Sequence, residues 1–415
     1  MLTFRIAWFL AVRQIRRSTR WSTLLIIAVM MLTFLNLVVV SGLLVGLPVG
    51  AVAVLREHYT SDVIITTLRE KSYIEESSTI VQTADALPEV QGISPRYVEA
   101  STVEANYKTR TRTNDLPEQV GTLLVGINPQ AEADVTGLDT LVVEGSYLTP
   151  TDFDQVMLGS LLLDQYLPID TPGFLTLRDV GIGSRVKLKV NGVEREVTVK
   201  GIVASKADEV DRRIFMVDSQ VRQLIGREDF NVDEIAIKLT GPVYASSTKE
   251  ALLKNGFDQY AKVQTYEDAQ PKFLDDIKKT FSLLGGIISS IGLAVAAITV
   301  FIVIFINAIT RRKYIGIMKA IGIEARAIEL SYVLQSLFYA AVGSVFGLLL
   351  VYGVLVPYFD AYPIQFPFSD GILVAPILGT LIRICLLVLT TAIAGYVPAR
   401  IIVSKNTLDS VLGRT

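Results

Sequence analysis

Arg311-Arg312-Lys313-Tyr314-Ile315-Gly316-Ile317-Met318-Lys319-Ala320-Ile321-Gly322 stands between two long apolar runs, 283–308 and 332–356. Each run is long enough to cross a bilayer, which takes ~20 apolar residues in a helix. Three basic residues open the stretch, and a basic loop between two spans belongs on the cytoplasmic side. A topology anchor accounts for Arg311, Arg312 and Lys313 but not for the pattern in 315–322. Ile317, Ala320 and Ile321 share a face at helical spacing, and Gly322 supplies a C-terminal stop. The stretch therefore predicts a short amphipathic helix over 311–322, with an apolar face offered to a partner.

The chain has 415 residues, 51% hydrophobic and 19% charged, with a mean hydropathy of +0.45. That is too apolar for an average soluble enzyme and too charged for a chain lying wholly in a membrane. The polar residues gather in the middle and the apolar ones towards the ends. The formal net charge of −2 carries no message about nucleic acid; the basic residues sort by membrane side instead, and no nucleic-acid partner is expected. A single cysteine, Cys385, excludes an intramolecular disulfide and a cysteine-based metal site. A single histidine, His58, excludes a multi-histidine one and reads as a residue just past the first span.

Residues 1–21 carry Arg5, Arg13, Arg16, Arg17 and Arg20 among apolar residues and no acid. They predict an amphipathic helix on the cytoplasmic membrane surface, with Trp8 and Trp21 at headgroup level. A first span follows at 22–47, too long for a signal-peptide core. Further spans are expected at about 283–308, 332–356 and 372–397. Basic residues number five before the first span, five in 311–326, none in 357–371 and three after the fourth. That asymmetry predicts four spans with both termini inside. Arg383 falls within the fourth span, where a charge is a functional candidate, though snorkelling to the outer surface reads equally well.

Residues 48–270 hold no membrane-length apolar run and predict an extracytoplasmic α+β domain. Strands are expected at 62–67, 93–103, 122–127, 234–239 and 261–265, and helices at 77–87, 218–226 and 246–255. Asp218 is a candidate helix cap. Asn191-Gly192 between two alternating segments, 185–190 and 193–203, signals a hairpin. Asn128-Pro129 reads as a turn. Strand–helix–strand at both ends with hairpins between points to one unit with a β-rich insertion. From Gln270-Pro271 a helix runs without a breaker into the second span, as a stalk. Gly285, Gly286, Ser289 and Ser290 there, and Gly343 and Gly347 in the third span, are candidate close-packing positions.

No G-x-x-x-x-G-K-[ST], G-x-S-x-G or H-E-x-x-H occurs, so no catalytic, cofactor or metal residue is proposed from motifs. Asp208, Glu209, Asp211 and Asp218 lack the glycine and terminal glutamate of a calcium loop and read as solvated. Lys108, Arg110 and Arg112 read as a solvated strand end or hairpin.

The stretch 311–322 resembles the loop R-R-x-E-I-G-x-x-[KR]-A-I-G of FtsX/MacB-like ABC permeases, with Tyr314 where that family usually has Glu. Val125-Gly126-Ile127-Asn128-Pro129, Val143-Glu144-Gly145, Val156-Met157-Leu158-Gly159 and Pro398-Ala399-Arg400 resemble further family segments, in the family's order. The resemblance implies an α+β membrane protein of four transmembrane helices, with a MacB-like periplasmic core domain (porter-like, with an inserted lobe) at 48–270 between helices 1 and 2. Residues 271–415 would be the stalk and FtsX-like permease domain. Arg311, Arg312, Lys313, Ile315, Gly316, Ile317, Lys319, Ala320, Ile321 and Gly322 would form a coupling helix docked on a cytosolic ABC ATPase. The chain would be a stand-alone, non-catalytic permease without a fused ATPase domain, ATP and Mg being bound by the partner. A homodimer in the cytoplasmic (inner) membrane, in contact with lipid and with an extracytoplasmic adaptor or hydrolase, is also implied. Two functions fit the resemblance: export or extrusion driven by mechanotransmission, or FtsX-like regulation of a partner such as a cell-wall hydrolase.

Overall fold

A computed structural model describes residues 2–108, 118–167, 175–362, 364–366, 369–371 and 373–404. The chain divides into two compact units. One comprises residues 49–275 and 366–369, the other residues 1–48, 276–365 and 370–415.

Among the described residues, the first unit holds ten strands. They are β1 (Val63–Thr67), β2 (Val90–Glu104), β3 (Gln119–Ile127), β4 (Val142–Gly145), β5 (Gln155–Gly159), β6 (Arg185–Val190), β7 (Val193–Val203), β8 (Arg213–Val217), β9 (Glu234–Leu239) and β10 (Ala261–Thr265). One edge of the long β2 pairs first with β9, over 90–96, and then with β6, over 101–104; β3 lines the other edge. The pairings β2–β3, β3–β8, β8–β5, β5–β7, β7–β6 and β6–β2 close into a ring. Closure leaves these six strands with no free edge in the ring. β9, β1 and β10 extend from β2, and β4 pairs with β7.

Alternation decides which side chains fill the interior. In β6, Val186, Leu188 and Val190 are buried while Arg185 and Lys189 are exposed. The hairpin forms as its sequence predicts, with φ of 47° at Asn191 and 83° at Gly192. β3–β8 and β5–β7 run parallel, an arrangement that the hairpin reading of this region does not contain. Parallel pairing needs a crossover between strands distant in sequence, and no local signal marks it.

Three local readings change. Asn128-Pro129 is a helix start rather than a turn: Asn128 Oδ1 accepts from the Gln130 and Ala131 amides, and Pro129 opens a helix to Thr136. Asp218 is the first residue of its helix, Asp218–Ile225, and Val217 holds the cap position. Asp211 is buried, not solvated, and accepts from the Ser205 and Lys206 amides and from Ser205 Oγ. Lys108 pairs with Glu196 at 2.7 Å; Arg110 and Arg112 lie outside the described residues.

The second unit is helical. α1 spans Leu2–Arg17. Among the described residues, four helices are long and apolar enough to cross a membrane: α2 (Arg20–Thr60), α3 (Lys272–Thr310), α4 (Ala325–Ala361) and α5 (Ile377–Val403), the end of α2 and the start of α3 being counted with the first unit. α2 continues well past residue 47, carrying Pro48 within it; the apolar count locates where a span can lie but not where a helix stops. α3 runs unbroken from Lys272 to Thr310. Beyond α4, residues 364–366 and 369–371 form a short strand pair in the segment read as a loop. α4 packs against α1, α2 and α5. Ile26, Met30 and Phe34 of α2 meet Tyr332 and Tyr339 of α4 and Leu387 of α5 in a continuous core.

Candidate functional site

Residues Arg312–Ala320, between α3 and α4, form a helix of their own, α6. Its end is a Schellman motif. The Ile323 amide donates to Met318 O at 3.0 Å and the Gly322 amide to Lys319 O at 3.1 Å. The motif needs a residue with positive φ at its turn, and Gly322 supplies it at 91°.

The helix has two apolar faces with different fates. Ile315 and Gly316 point inwards, Ile315 joining Ile328, Ala399 and Ile402 in the core. Ile317 and Ile321 remain 49% and 72% exposed, beside exposed Ala320 and Tyr314. Of the ten candidate coupling residues, then, Ile315 and Gly316 anchor the helix while Ile317, Ala320 and Ile321 present a surface. Lys319 does not stand free as a surface charge. Its Nζ donates to Val403 O at 2.9 Å and so caps the last turn of α5, where a cation also suits the helix dipole. Thr3 Oγ1 of α1 donates to Glu324 at 3.1 Å, bringing the chain start to the same connection.

The small residues of the spans separate by face. A Cβ on Gly292 would meet Asn36 Oδ1 at 2.6 Å, and one on Gly285 would meet Ser41 Oγ at 3.4 Å, both on α2. Gly286 has open space around it, and Ser290 is exposed. On α4, a Cβ on Gly343 would meet Met30 Cβ at 2.5 Å, and one on Gly347 would clash with the Phe34 ring. Gly285, Gly343 and Gly347 thus serve contacts within the chain. Gly286 and Ser290 lie on a face with exposed Leu283, Ile287 and Ile291.

A second constellation, missed in the sequence, lies in the first unit at the end of α2. Tyr59 sits in that helix's last turn. Its hydroxyl donates to Glu234 Oε1 at 2.9 Å and accepts from Arg213 Nη2 at 3.1 Å. Its carbonyl accepts from Arg96 Nη2 at 2.9 Å. Arg96 also makes a bidentate pair with Glu132, at 2.9 and 2.8 Å, and Arg213 reaches both oxygens of Glu234 at 3.2 Å. Both guanidinium groups stack on the Tyr59 ring, 5.5 and 4.7 Å from its centroid. Arg96, Glu132, Arg213 and Glu234 are all buried. Burial alone would raise the Glu234 carboxyl, but Arg213 and Arg96 outweigh it and hold the group below the usual glutamate range. The available signal was a charged residue within a strand segment, Arg96 in β2, Arg213 in β8 and Glu234 in β9, while Glu132 lies on the helix that Pro129 opens. Nearby, Arg56 pairs with the buried Asp62 at 2.6 Å, and Asp62 accepts from the Leu239 amide at 2.8 Å.

With this geometry in view, residues 286–407 match the family model described as FtsX-like permease C-terminal. The match takes in α6 and the whole of α4 and α5. The chain is also 27% identical, over 184 residues, to an uncharacterized ABC transporter permease of Methanocaldococcus jannaschii. That alignment covers 42% of this chain and 43% of the relative, so the chain matches less than half of the relative's length. Two solved structures are similar in part. The periplasmic region of MacB from Actinobacillus actinomycetemcomitans has 19% identity and a TM-score of 0.35, over 55% of this chain and 94% of that one. The extracellular domain of the noncanonic ABC-type transporter YknZ from Gram-positive bacteria has 16% identity and a TM-score of 0.32, over 49% and 98%.

Proposed function

We propose that the chain is the permease subunit of an ABC transporter of the FtsX/MacB type, working with a separate cytosolic ATPase. The observation that carries this reading is α6. Inside the FtsX-like permease domain, a helix anchored by Ile315 and Lys319 leaves Ile317, Ala320 and Ile321 uncovered. In this reading the ATPase receives that face and binds the ATP and Mg. Its closure moves α3 and the other spans, and residues 49–275 deliver the movement to an exported or extruded substrate outside the membrane. The charge asymmetry supports both termini and α6 lying in the cytoplasm. The exposed face of α3 supports a homodimer.

The test is affinity purification of the full chain in a mild detergent, with identification of co-purifying chains and assay of ATP hydrolysis. A nucleotide-binding subunit in fixed ratio, with activity raised by the permease, is the expected result. Its consistent absence would overturn the proposal. A cell-wall hydrolase retained in place of any substrate would move the assignment to regulation of a partner.

A further inference from the structure

The charge in the fourth span has no role in the coupling surface. Arg383 lies six residues into α5, so about 9 Å along the helix at 1.5 Å per residue. Its Nη2 donates to Ser41 Oγ of α2 at 2.8 Å. Its Nη1 is buried without a hydrogen-bond partner. Among the described residues no carboxylate pairs with it. A guanidinium is charged at all physiological pH and offers five donors in a planar fork. Leaving that charge unpaired inside a span is costly, so its position calls for an anion.

The surroundings form a held site rather than a loose side chain. The Val374 amide donates to Gly42 O at 3.3 Å, and a Cβ on Gly42 would meet Val374 O at 2.8 Å. α2 therefore packs tightly against the segment leading into α5, and Ser41 is fixed beside Arg383. One turn nearer the start of α5, the Tyr352 hydroxyl of α4 lies 3.0 Å from both Ala375 O and Thr380 Oγ1. Exposed Tyr358 and Tyr362 at the end of α4 mark an interfacial aromatic level. Arg383 itself is partly exposed, and Leu386, one turn deeper, is exposed as well. A ligand can approach from the lipid side with an anionic head at Arg383 and an apolar tail along Leu386.

We propose that Arg383 and Ser41 form a binding site for the phosphate group of a membrane phospholipid. A guanidinium with N–H donors beyond the one given to Ser41 matches a phosphate oxygen. The proposal rests on the chain's spanning a membrane and not on the ATPase, so either can fail alone.

The experiment is native mass spectrometry of the full chain in detergent, titrated with phosphatidylglycerol, with diacylglycerol and with inorganic phosphate. Phosphatidylglycerol is expected to bind wild type at least about tenfold more tightly than diacylglycerol. Arg383→Gln should lose that preference, while Arg383→Lys, which keeps charge without the fork, should retain part of it. Should Arg383→Gln not fold, as judged by its melting temperature, Ser41→Ala must still weaken phosphatidylglycerol binding about threefold. Equal binding of the two lipids by wild type, or undiminished binding by Arg383→Gln, would overturn the site. Displacement of the lipid by millimolar inorganic phosphate would assign the site to a free anion and overturn the lipid assignment.

Discussion

Ile317→Ala with Ile321→Ala removes the exposed apolar face of α6. Fully burying an isoleucine is worth roughly 1.5–3 kcal/mol. Ile317 is 49% exposed and Ile321 72%, so a docked partner can gain only about half of that at the first and three-quarters at the second. The remaining gain is about 0.7–1.5 kcal/mol at Ile317 and about 1.1–2.2 kcal/mol at Ile321. At 1.4 kcal/mol per decade, the first change alone should weaken ATPase binding about three- to tenfold. Alanine keeps its Cβ, and neighbouring residues seldom add fully, so the double variant should lose about tenfold to a hundredfold. Ile317→Asp should lose more, through the desolvation of an unpaired carboxylate. Ile315→Ala is the contrast. Ile315 is only 2% exposed, so its loss should lower the melting temperature of the permease through a cavity while leaving α6's outer face intact. The assay is titration of the purified ATPase onto nanodisc-embedded permease. Unchanged ATPase affinity in the double variant, with insertion intact, would refute docking on this face.

Four other outcomes are expected. Glu132→Ala leaves Arg96 buried with one fewer counterion, costing about 3–5 kcal/mol, and should lower the melting temperature of the first unit's transition by roughly 6–20 °C, as followed by circular dichroism. Because the Glu234 carboxyl is held below the usual range, its stabilisation is present above the unfolded pKa of about 4.3 and lost as pH falls through the folded value; acid melts should show a flatter pH dependence in Glu234→Gln than in wild type. Gly286→Leu with Ser290→Leu should weaken dimer formation in a cross-linking assay, whereas Gly347→Leu should destabilise the single chain, since Phe34 already fills that space. In a Cys385→Ser background, a membrane-impermeant thiol reagent on intact cells should label a cysteine placed at 191 and not one at 313, and the reverse pattern would invert the topology.

The membrane unit was legible because its rules are one-dimensional. Run length gave four spans, and Gly322 gave the end of α6. The stop of α2 was not legible, since nothing in the apolar count tells a membrane helix from its continuation at Arg56–Thr60. In the first unit, alternation and Asn191-Gly192 gave β6 and β7 because both signals are local. The ring of strands was hidden, since β3–β8 joins segments some ninety residues apart by parallel pairing. Within the candidate site, periodicity placed Ile317, Ala320 and Ile321 on one face. It could not show that Ile315 points inwards, or that Lys319 is taken by Val403 O, because both depend on where α4 and α5 pack.

The charge network around Tyr59 is poor ground for a stability argument, because a well-packed apolar cluster of similar volume is often as stable. What it provides is a fixed geometry. The last carbonyls of any helix lack partners within the helix, and here one of them, Tyr59 O, is taken by Arg96. The helix then breaks at Ser61, where φ is 52°. An apolar contact at this point could slide by a fraction of a side chain at little cost. The bidentate Arg96–Glu132 pair, and Arg213 held on both Glu234 oxygens and on the Tyr59 hydroxyl, cannot slide without leaving buried charges unpaired. The end of α2 around Tyr59 is therefore tied to β2, β8 and β9 together, and β2 and β8 belong to the strand ring. The two constellations share one logic: each fixes a helix end by specific partners, Ile315 in the core and Lys319 on Val403 O at α6, and Arg96 and Arg213 at Tyr59, so that neither end can shift without breaking a defined contact.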